Sequence, residues 1–283
     1  MRAIAIIVFT FIALCSIGQV KRPDMATKSK PFVLGVIEEL QSAELAEKRI
    51  LNIYLPEGYN TSDTVRYPVV YLLDGSADED FIHVVGLYQF NSFPWINRVP
   101  PSIIVGIANI DRKRDFTYPS NIPKYQKILP TSGGSAKFIA FIEKELQPYI
   151  EKKYKTNASK TIIGESLGGL LATEMLFNHT HLFNRYIIIS PSLWWDNESL
   201  LNQKQEPLMA GFKEKTDIYI GAGKEGPVME ADTKLLAEKI RSTKSQNVTL
   251  YYDYLPQEDH ATISHQAILN ALRLLSSSVK KKE

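Results

Sequence analysis

Thr161-Ile162-Ile163-Gly164-Glu165-Ser166-Leu167-Gly168-Gly169-Leu170-Leu171 decides the fold of this chain. An apolar run enters Gly-x-Ser-x-Gly, and small and apolar residues follow from Gly169 to Phe177. That order spells a buried strand end, a tight turn and a helix. A serine that attacks a carbonyl must stand clear of the sheet, at the apex of a sharp, strained strand-to-helix turn. Ser166 holds that apex, and the glycines at 164 and 168 keep side chains out of the crowded space on either side. The amide of Leu167, opening the helix, then points to where an oxyanion would form.

Working outward, further apolar runs of strand length stand at Val33 to Ile37, Arg49 to Leu55, Tyr67 to Leu73 and Ser102 to Ile107 before the elbow. After it come Tyr186 to Ile189, Asp217 to Ile220 and Val248 to Leu255. Helical patterns fall at Phe81 to Phe90, Ser135 to Tyr154, Met229 to Ile240 and Thr262 to Leu275. The residues between Ile37 and Arg49 read as a long hairpin connection. Strands alternate with helices throughout, with no linker, repeat or low-complexity break. This predicts an α/β fold: a mainly parallel central sheet with helices on both faces, in one domain over residues 31–283.

With 283 residues, 44% of them apolar, the chain can bury a sizeable core. A net charge of +2 argues against a nucleic-acid partner. Arg2, the apolar run Ala3 to Ile17 and the small residues around Gly18 read as a secretory signal over residues 1–18. A flexible polar lead-in over residues 19–30 follows. A secreted or periplasmic protein is expected, with no stable membrane insertion after cleavage. The single cysteine, Cys15, falls inside the signal, so the mature chain is expected to form no disulfide.

In such a sheet functional residues collect at the carboxyl ends of the strands. The base for Ser166 is expected on a later loop. Of five histidines, His83 precedes the elbow, His179 and His181 end its helix, and His265 sits within the last helix. His260, directly after the last strand, remains. The acid must accept a hydrogen bond from the far ring nitrogen of that histidine. Glu225, past the strand ending at Ile220, is favoured, and Asp196, after the preceding strand, is the alternative. A second oxyanion amide is expected from Ser76, after the third strand, with Gly75 bare so that substrate can approach.

The stretches Tyr54-Leu-Pro-Glu-Gly-Tyr59, Tyr67-Pro-Val-Val-Tyr-Leu-Leu-Asp-Gly75, Arg112-x-Arg114-Asp115-Phe116-Thr117-x-Pro119 and Ser132-Gly133-Gly134 carry a resemblance. So do the elbow, Ser190-Pro191-Ser192-Leu193-Trp194-Trp195 and Glu258-Asp259-His260. Together they resemble the putative esterase family of α/β-hydrolases, which includes esterase D-like enzymes, feruloyl esterase domains, mycolyltransferases and siderophore esterases. Arg-x-Arg-Asp and Ser-Pro-Ser-x-Trp-Trp look most like the siderophore esterase branch. The resemblance implies Ser166 as nucleophile and His260 as base. It leaves the third member open, because the acid is not uniform in that branch and Trp194 or Trp195 can stand beside the histidine instead.

A serine esterase working through an acyl-enzyme is therefore expected, acting on a small-molecule or carbohydrate ester. Acyl transfer to a sugar, and a non-catalytic binding module on the same scaffold, are the alternatives. Arg112 and Arg114 offer forks for an anionic substrate, and Trp194 and Trp195 offer faces for a planar acyl group. Each also has a structural alternative: Arg114 pairing with Asp115 or Glu165 to hold its loop, and the tryptophans plugging the core beneath it. No metal or organic cofactor is expected, since the chain carries no metal-spaced His/Cys cluster, phosphate loop or dinucleotide fingerprint.

Overall fold

Residues whose apolar side chains alternate along a strand can face two layers at once, and here they do. Val70, Leu72, Ile163, Ile187, Ile189 and Tyr219 enter one core, while Tyr71, Ile162, Tyr186, Ile188, Ile218 and Ile220 enter another on the opposite face. The computed structural model describes residues 29–62, 64–203 and 212–280. The expected signal (1–18) and most of the lead-in (19–30) lie outside them. Leu34–Glu283 forms one compact unit, and residues 29–33 carry no helix or strand.

The strands are β1 (Val36–Ser42), β2 (Glu47–Tyr54), β3 (Tyr67–Leu72), β4 (Ile103–Ile107), β5 (Thr156–Glu165), β6 (Arg185–Ile189), β7 (Thr216–Gly223) and β8 (Val248–Leu255). They form one eight-stranded sheet in the order β1-β2-β4-β3-β5-β6-β7-β8. β2 runs antiparallel to both β1 and β4, and every other pair is parallel. The helices are α1 (Phe81–Ser92), α2 (Arg112–Asp115), α3 (Pro123–Ile128), α4 (residues 135–153), α5 (Leu167–Asn178), α6 (Pro227–Ser242) and α7 (Ile263–Lys280). α1 and α7 cover one face through Val84, Tyr88, Ile268 and Leu272. α4, α5 and α6 cover the other through Phe138, Leu170, Met175 and Leu236. Helices thus lie on both faces of a mainly parallel sheet, as the sequence predicts. Among the described residues, no helix is long and apolar enough to cross a membrane.

The first hairpin differs from expectation. β1 runs on to Ser42 and turns within residues 43–46, with Ala46 at φ 54°. Glu145 of α4 holds that turn: it accepts from the Ser42 hydroxyl at 2.5 Å and from the amides of Ala43 and Glu44 at 2.8 and 3.1 Å. A partner a hundred residues away leaves no local signal. Inside α4, a π turn at Ile142–Leu146 separates two α segments, Ser135–Phe141 and Gln147–Lys153. Pro148 follows, and a proline both lacks the N–H and crowds the carbonyl four residues back, so the helix widens there.

The long loop after β4 is anchored by buried charge. Arg49, fully buried, donates to Asp115 at 2.8 Å and to the Ala108 carbonyl at 3.0 Å, and its guanidinium lies 5.2 Å from the Phe138 ring centroid. Removing one partner of such a pair strands the other, at a cost of about 3–5 kcal/mol.

α5 carries one buried acid that lacks an ion partner. Burial lifts Glu174 from an ordinary 4.5 to about 7, against a smaller opposing effect of the Ser135 hydroxyl. Its folded form therefore holds a proton that the unfolded chain gives up near pH 4.5, so this contribution is full below that pH and is lost as pH rises through about 7. Glu174→Gln should leave stability nearly unchanged at pH 4 and raise it above pH 7, by on the order of 3 kcal/mol at most. Urea unfolding of both proteins at the two pH values measures this.

Candidate active site

The elbow is a backbone device. β5 ends at Glu165, Ser166 sits at φ 58°, ψ −118°, and α5 begins at Leu167. A Cβ on Gly164 would lie 2.4 Å from the carbonyl oxygen of Gly168, so strand and helix touch main chain to main chain. A Cβ on Gly169 would lie 2.9 Å from both the Ile189 carbonyl oxygen and Pro191 Cα, which lets α5 press on the end of β6. The Ser166 amide donates to Ile189 O at 3.0 Å, and the Ser192 amide donates to Ser166 O at 3.0 Å. The amide of Leu167 is among the first N–H groups of α5, which have no partner within the helix.

Two loops bring the other groups in. The turn after β7 is closed by Glu230, which accepts from the amides of Glu225 and Gly226 at 3.0 Å each. The loop after β8 is tied to it by Lys224 N–H donating to Glu258 O at 2.7 Å. A Cβ at Gly223 would meet both Glu258 O at 2.8 Å and Glu225 Oε1 at 2.9 Å, so a bare residue is needed where acid and base loops converge. Asp259 accepts from the amides of Ala261 and Thr262 at 2.9 and 3.1 Å, closing the turn ahead of α7 from which His260 projects.

His260 Nδ1 lies 2.7 Å from Glu225 Oε2, and His260 Nε2 lies 3.0 Å from Ser166 Oγ. A carboxylate only accepts, so Nδ1 carries the proton and Nε2 is left to accept from the serine. Glu225 Oε1 takes two further donors, the Gly223 amide at 3.0 Å and the Ser190 hydroxyl. The acid side chain is 3% exposed and the histidine 48%. Burial pushes the Glu225 carboxyl up, and the hydrogen bonds from His260, Ser190 and Gly223 outweigh it and hold the group below its usual range. The same bond to Glu225 raises His260, against a smaller lowering by burial.

Ser166, His260 and Glu225 open into a cavity of about 530 Å³, walled by Ser192, Trp194, Lys224 and Met229. A larger groove of about 940 Å³ lies at the amino ends of β5, β6 and β7, among Arg66, Lys160 and Asn184, and holds none of these groups. Asp196 is engaged elsewhere, accepting from the Ser120 hydroxyl at 2.6 Å.

The expected substrate residues separate. Trp194 reaches the cavity. Trp195 is fully buried and donates its indole N–H to the Tyr118 carbonyl at 2.9 Å, so it is a core residue with no face for substrate. Arg114 is bound to Asp115 at 2.7 Å and to Glu47 at 2.6 Å, and both raise its pKa; it holds its loop to β2 and does not line the cavity. Arg112 forks onto Asp74 at 2.6 and 2.8 Å and donates to the Glu165 carbonyl at 3.3 Å. It buttresses the elbow from outside the cavity. Gly75 is bare for a reason other than substrate access, because a Cβ there would sit 2.4 Å from Gly106 Cα on the neighbouring strand. The Ser76 amide donates to Glu79 Oε2 at 3.3 Å.

Ser190, Ser192, Lys224 and Met229 carried no role in the sequence. The two serines stood in a quoted motif without a role of their own, and for Lys224 and Met229 the signal is position alone: each residue follows the carboxyl end of β6 or β7, the strands next in line after β5.

A sheet of this order with a strained serine between β5 and α5 is the framework of a serine hydrolase. Residues 42–267 match the family described as Putative esterase, and the chain belongs to that family. The ferri-bacillibactin esterase BesA of Bacillus subtilis is 27% identical over 264 residues, 87% of this chain and 91% of that protein. An IroE-like serine hydrolase from Shewanella oneidensis is 32% identical, with a TM-score of 0.74 over 86% of this chain and 80% of its own. The BES protein from Bacillus cereus is 28% identical, with a TM-score of 0.77 over 87% and 97%. In class, the protein is a carboxylic ester hydrolase.

Two outcomes follow from the geometry. Glu225→Gln removes the chief cause raising His260, so the imidazole should titrate at lower pH than in the wild type, read from its ring-proton NMR shifts. Arg114→Ala should lower the melting temperature through the lost Glu47 and Asp115 bonds and leave the relative rates on neutral and anionic esters unchanged.

Proposed function

We propose that this protein is a secreted or periplasmic serine esterase in which Ser166, His260 and Glu225 form the triad. The observation that carries this is the unbroken chain from Glu225 Oε2 through His260 to Ser166 Oγ, at 2.7 and 3.0 Å. Ser166 Oγ attacks the ester carbonyl as its proton passes to His260 Nε2. The oxyanion gathers at the Leu167 amide, with Ser76 the candidate for a second donor once it leaves Glu79. The proton then goes to the departing alcohol, and water repeats the sequence on the acyl-enzyme. Glu225, kept ionised by its three donors, stabilises the imidazolium that forms in each half.

For the substrate, an ester with a planar, negatively charged acyl group is proposed, of the kind found in ferric siderophores. The relative named ferri-bacillibactin esterase, and shorter matches to proteins named siderophore esterases, support this. So do the Trp194 side chain and the Lys224 cation in the cavity wall. Lys224 takes the role expected of Arg112 and Arg114, whose charges are already matched by carboxylates.

Ser166→Ala and His260→Ala should each abolish most hydrolysis of aryl acetates and ferric catecholate lactones while remaining folded. The double variant should lose little more, since the two act as one unit. A folded Ser166→Ala protein with wild-type turnover would exclude the triad. Lys224→Gln should raise KM for an anionic aryl ester and spare a neutral one. Raising salt from about 0.01 to 0.15 M should weaken the same substrate selectively, because the screening length falls from roughly 30 to 8 Å. Equal effects on both esters would leave a general serine esterase.

A further inference from the structure

Ser192 lies against the nucleophile in two ways. Its amide donates to the Ser166 carbonyl at 3.0 Å, and its Oγ stands 3.3 Å from Ser166 Oγ. The residue is 3% exposed, and Pro191 beside it is pressed against the start of α5, so the hydroxyl is held in place. The direction of the bond follows from its neighbours. Glu225 fixes the proton of His260 on Nδ1, so the Ser166 proton goes to Nε2. Ser166 Oγ then offers lone pairs to Ser192, whose O–H is the donor.

We propose that Ser192 is a catalytic residue, donating to Ser166 Oγ while that oxygen carries charge as its bond to the acyl group forms and breaks. This rests on the serine-esterase function given above. At 3.3 Å the bond is long for two hydroxyls and weak in the resting state. It strengthens when its acceptor gains charge, which makes it worth more in a transition state than in a ground state. Both half-reactions pass through such a state. In acylation Ser166 Oγ gains charge as its proton passes to His260 Nε2 and before the new bond is complete. In deacylation it starts as an ester oxygen, a poor acceptor, gains the electron pair as the C–Oγ bond breaks, and ends as a hydroxyl. There, water gives its proton to His260 Nε2 and bonds to the carbonyl carbon. The C–Oγ bond then breaks with its electron pair on Oγ, the His260 proton passes to Oγ, and the carboxylic acid departs. Ser192 supports Oγ at the moment the pair arrives.

The test uses the full chain and a 4-nitrophenyl ester. Stopped-flow burst rates report acylation, and decay of the isolated acyl-enzyme, followed by intact mass, reports deacylation. Ser192→Ala and Ser192→Cys, the latter keeping the volume with a weak donor, should slow deacylation about 10- to 100-fold, as expected for loss of a hydrogen bond to a charged oxygen. Acylation should slow by a similar factor, because bond making and bond breaking at Oγ pass through like transition states and the resting bond is weak. Ser192→Thr, which keeps the hydroxyl, should stay near wild type. Wild-type deacylation in the cysteine variant, or a threonine variant as slow as the alanine one, overturns the proposal. Should the alanine variant fail to fold, the cysteine variant decides alone. An acyl adduct that forms normally on wild type but decays alike in all variants removes only the role of Ser192. Absence of any adduct, with turnover intact in Ser166→Ala, removes the serine-esterase function with it.

Discussion

The site depends on one non-glycine residue held in a left-handed backbone conformation. Ser166, at φ 58°, is placed where its side chain leaves the sheet. Such a conformation costs about 1–3 kcal/mol and persists only if its surroundings insist on it. Here they do so through main chain: the Gly164–Gly168 contact below, the bond from Ser166 N–H to the end of β6, and the bond from Ser192 N–H back to Ser166. Because those bonds reach β6 and the segment after it, the register of β5 against β6 is part of the catalytic geometry.

Charge around the site is largely structural. Arg112 is matched by Asp74, and Arg114 with Arg49 is matched by Glu47 and Asp115. Asp74 Oδ2 would lie 3.3 Å from a Cβ on Gly168, so the Arg112–Asp74 pair braces the start of α5. These pairs convert a loop of more than twenty residues, with two short helices, into a fixed wall, and they leave little net field behind. The cavity's own character then comes from few groups: a half-exposed imidazole, the nearly buried Glu225 carboxylate, the opposite charges of Lys224 and Asp259, and an apolar side of Trp194 and Met229.

Much of this was legible in the sequence because it is local. The elbow needs glycines at fixed spacing around a serine, and buried parallel strands need continuous apolar runs. Chain order pointed to His260 and Glu225, and the structure brings both to Ser166. What was not legible is partner choice over distance. Arg114 finds Glu47, 67 residues earlier, instead of a substrate, and adjacent tryptophans divide into one cavity residue and one core residue. Both tryptophans have the same composition signal and both pack on Tyr125; the burial of the second and its indole bond to the Tyr118 carbonyl separate them. Gly75 looked like an opening for substrate and is a crossing point of two backbones. The serines of Ser-Pro-Ser were visible as a motif, yet their duties, one to Glu225 and one to Ser166, arise only when β6 lies beside β5 and β7.

The nucleophile and base proposed above, Ser166 and His260, are mounted on unequal supports. β5 is an inner strand with a bonded neighbour on each side, whereas β8, which leads to His260, is the last strand and is clasped on one side only. An inner strand opens with the whole sheet, while an edge strand can loosen alone, at a smaller free-energy cost. The serine is thus the stationary jaw of the pair and the histidine the yielding one. The imidazole must turn from one oxygen to another between taking and returning a proton. Compliance is therefore found on the partner whose task requires small movement, and stiffness on the partner whose task is to stay still.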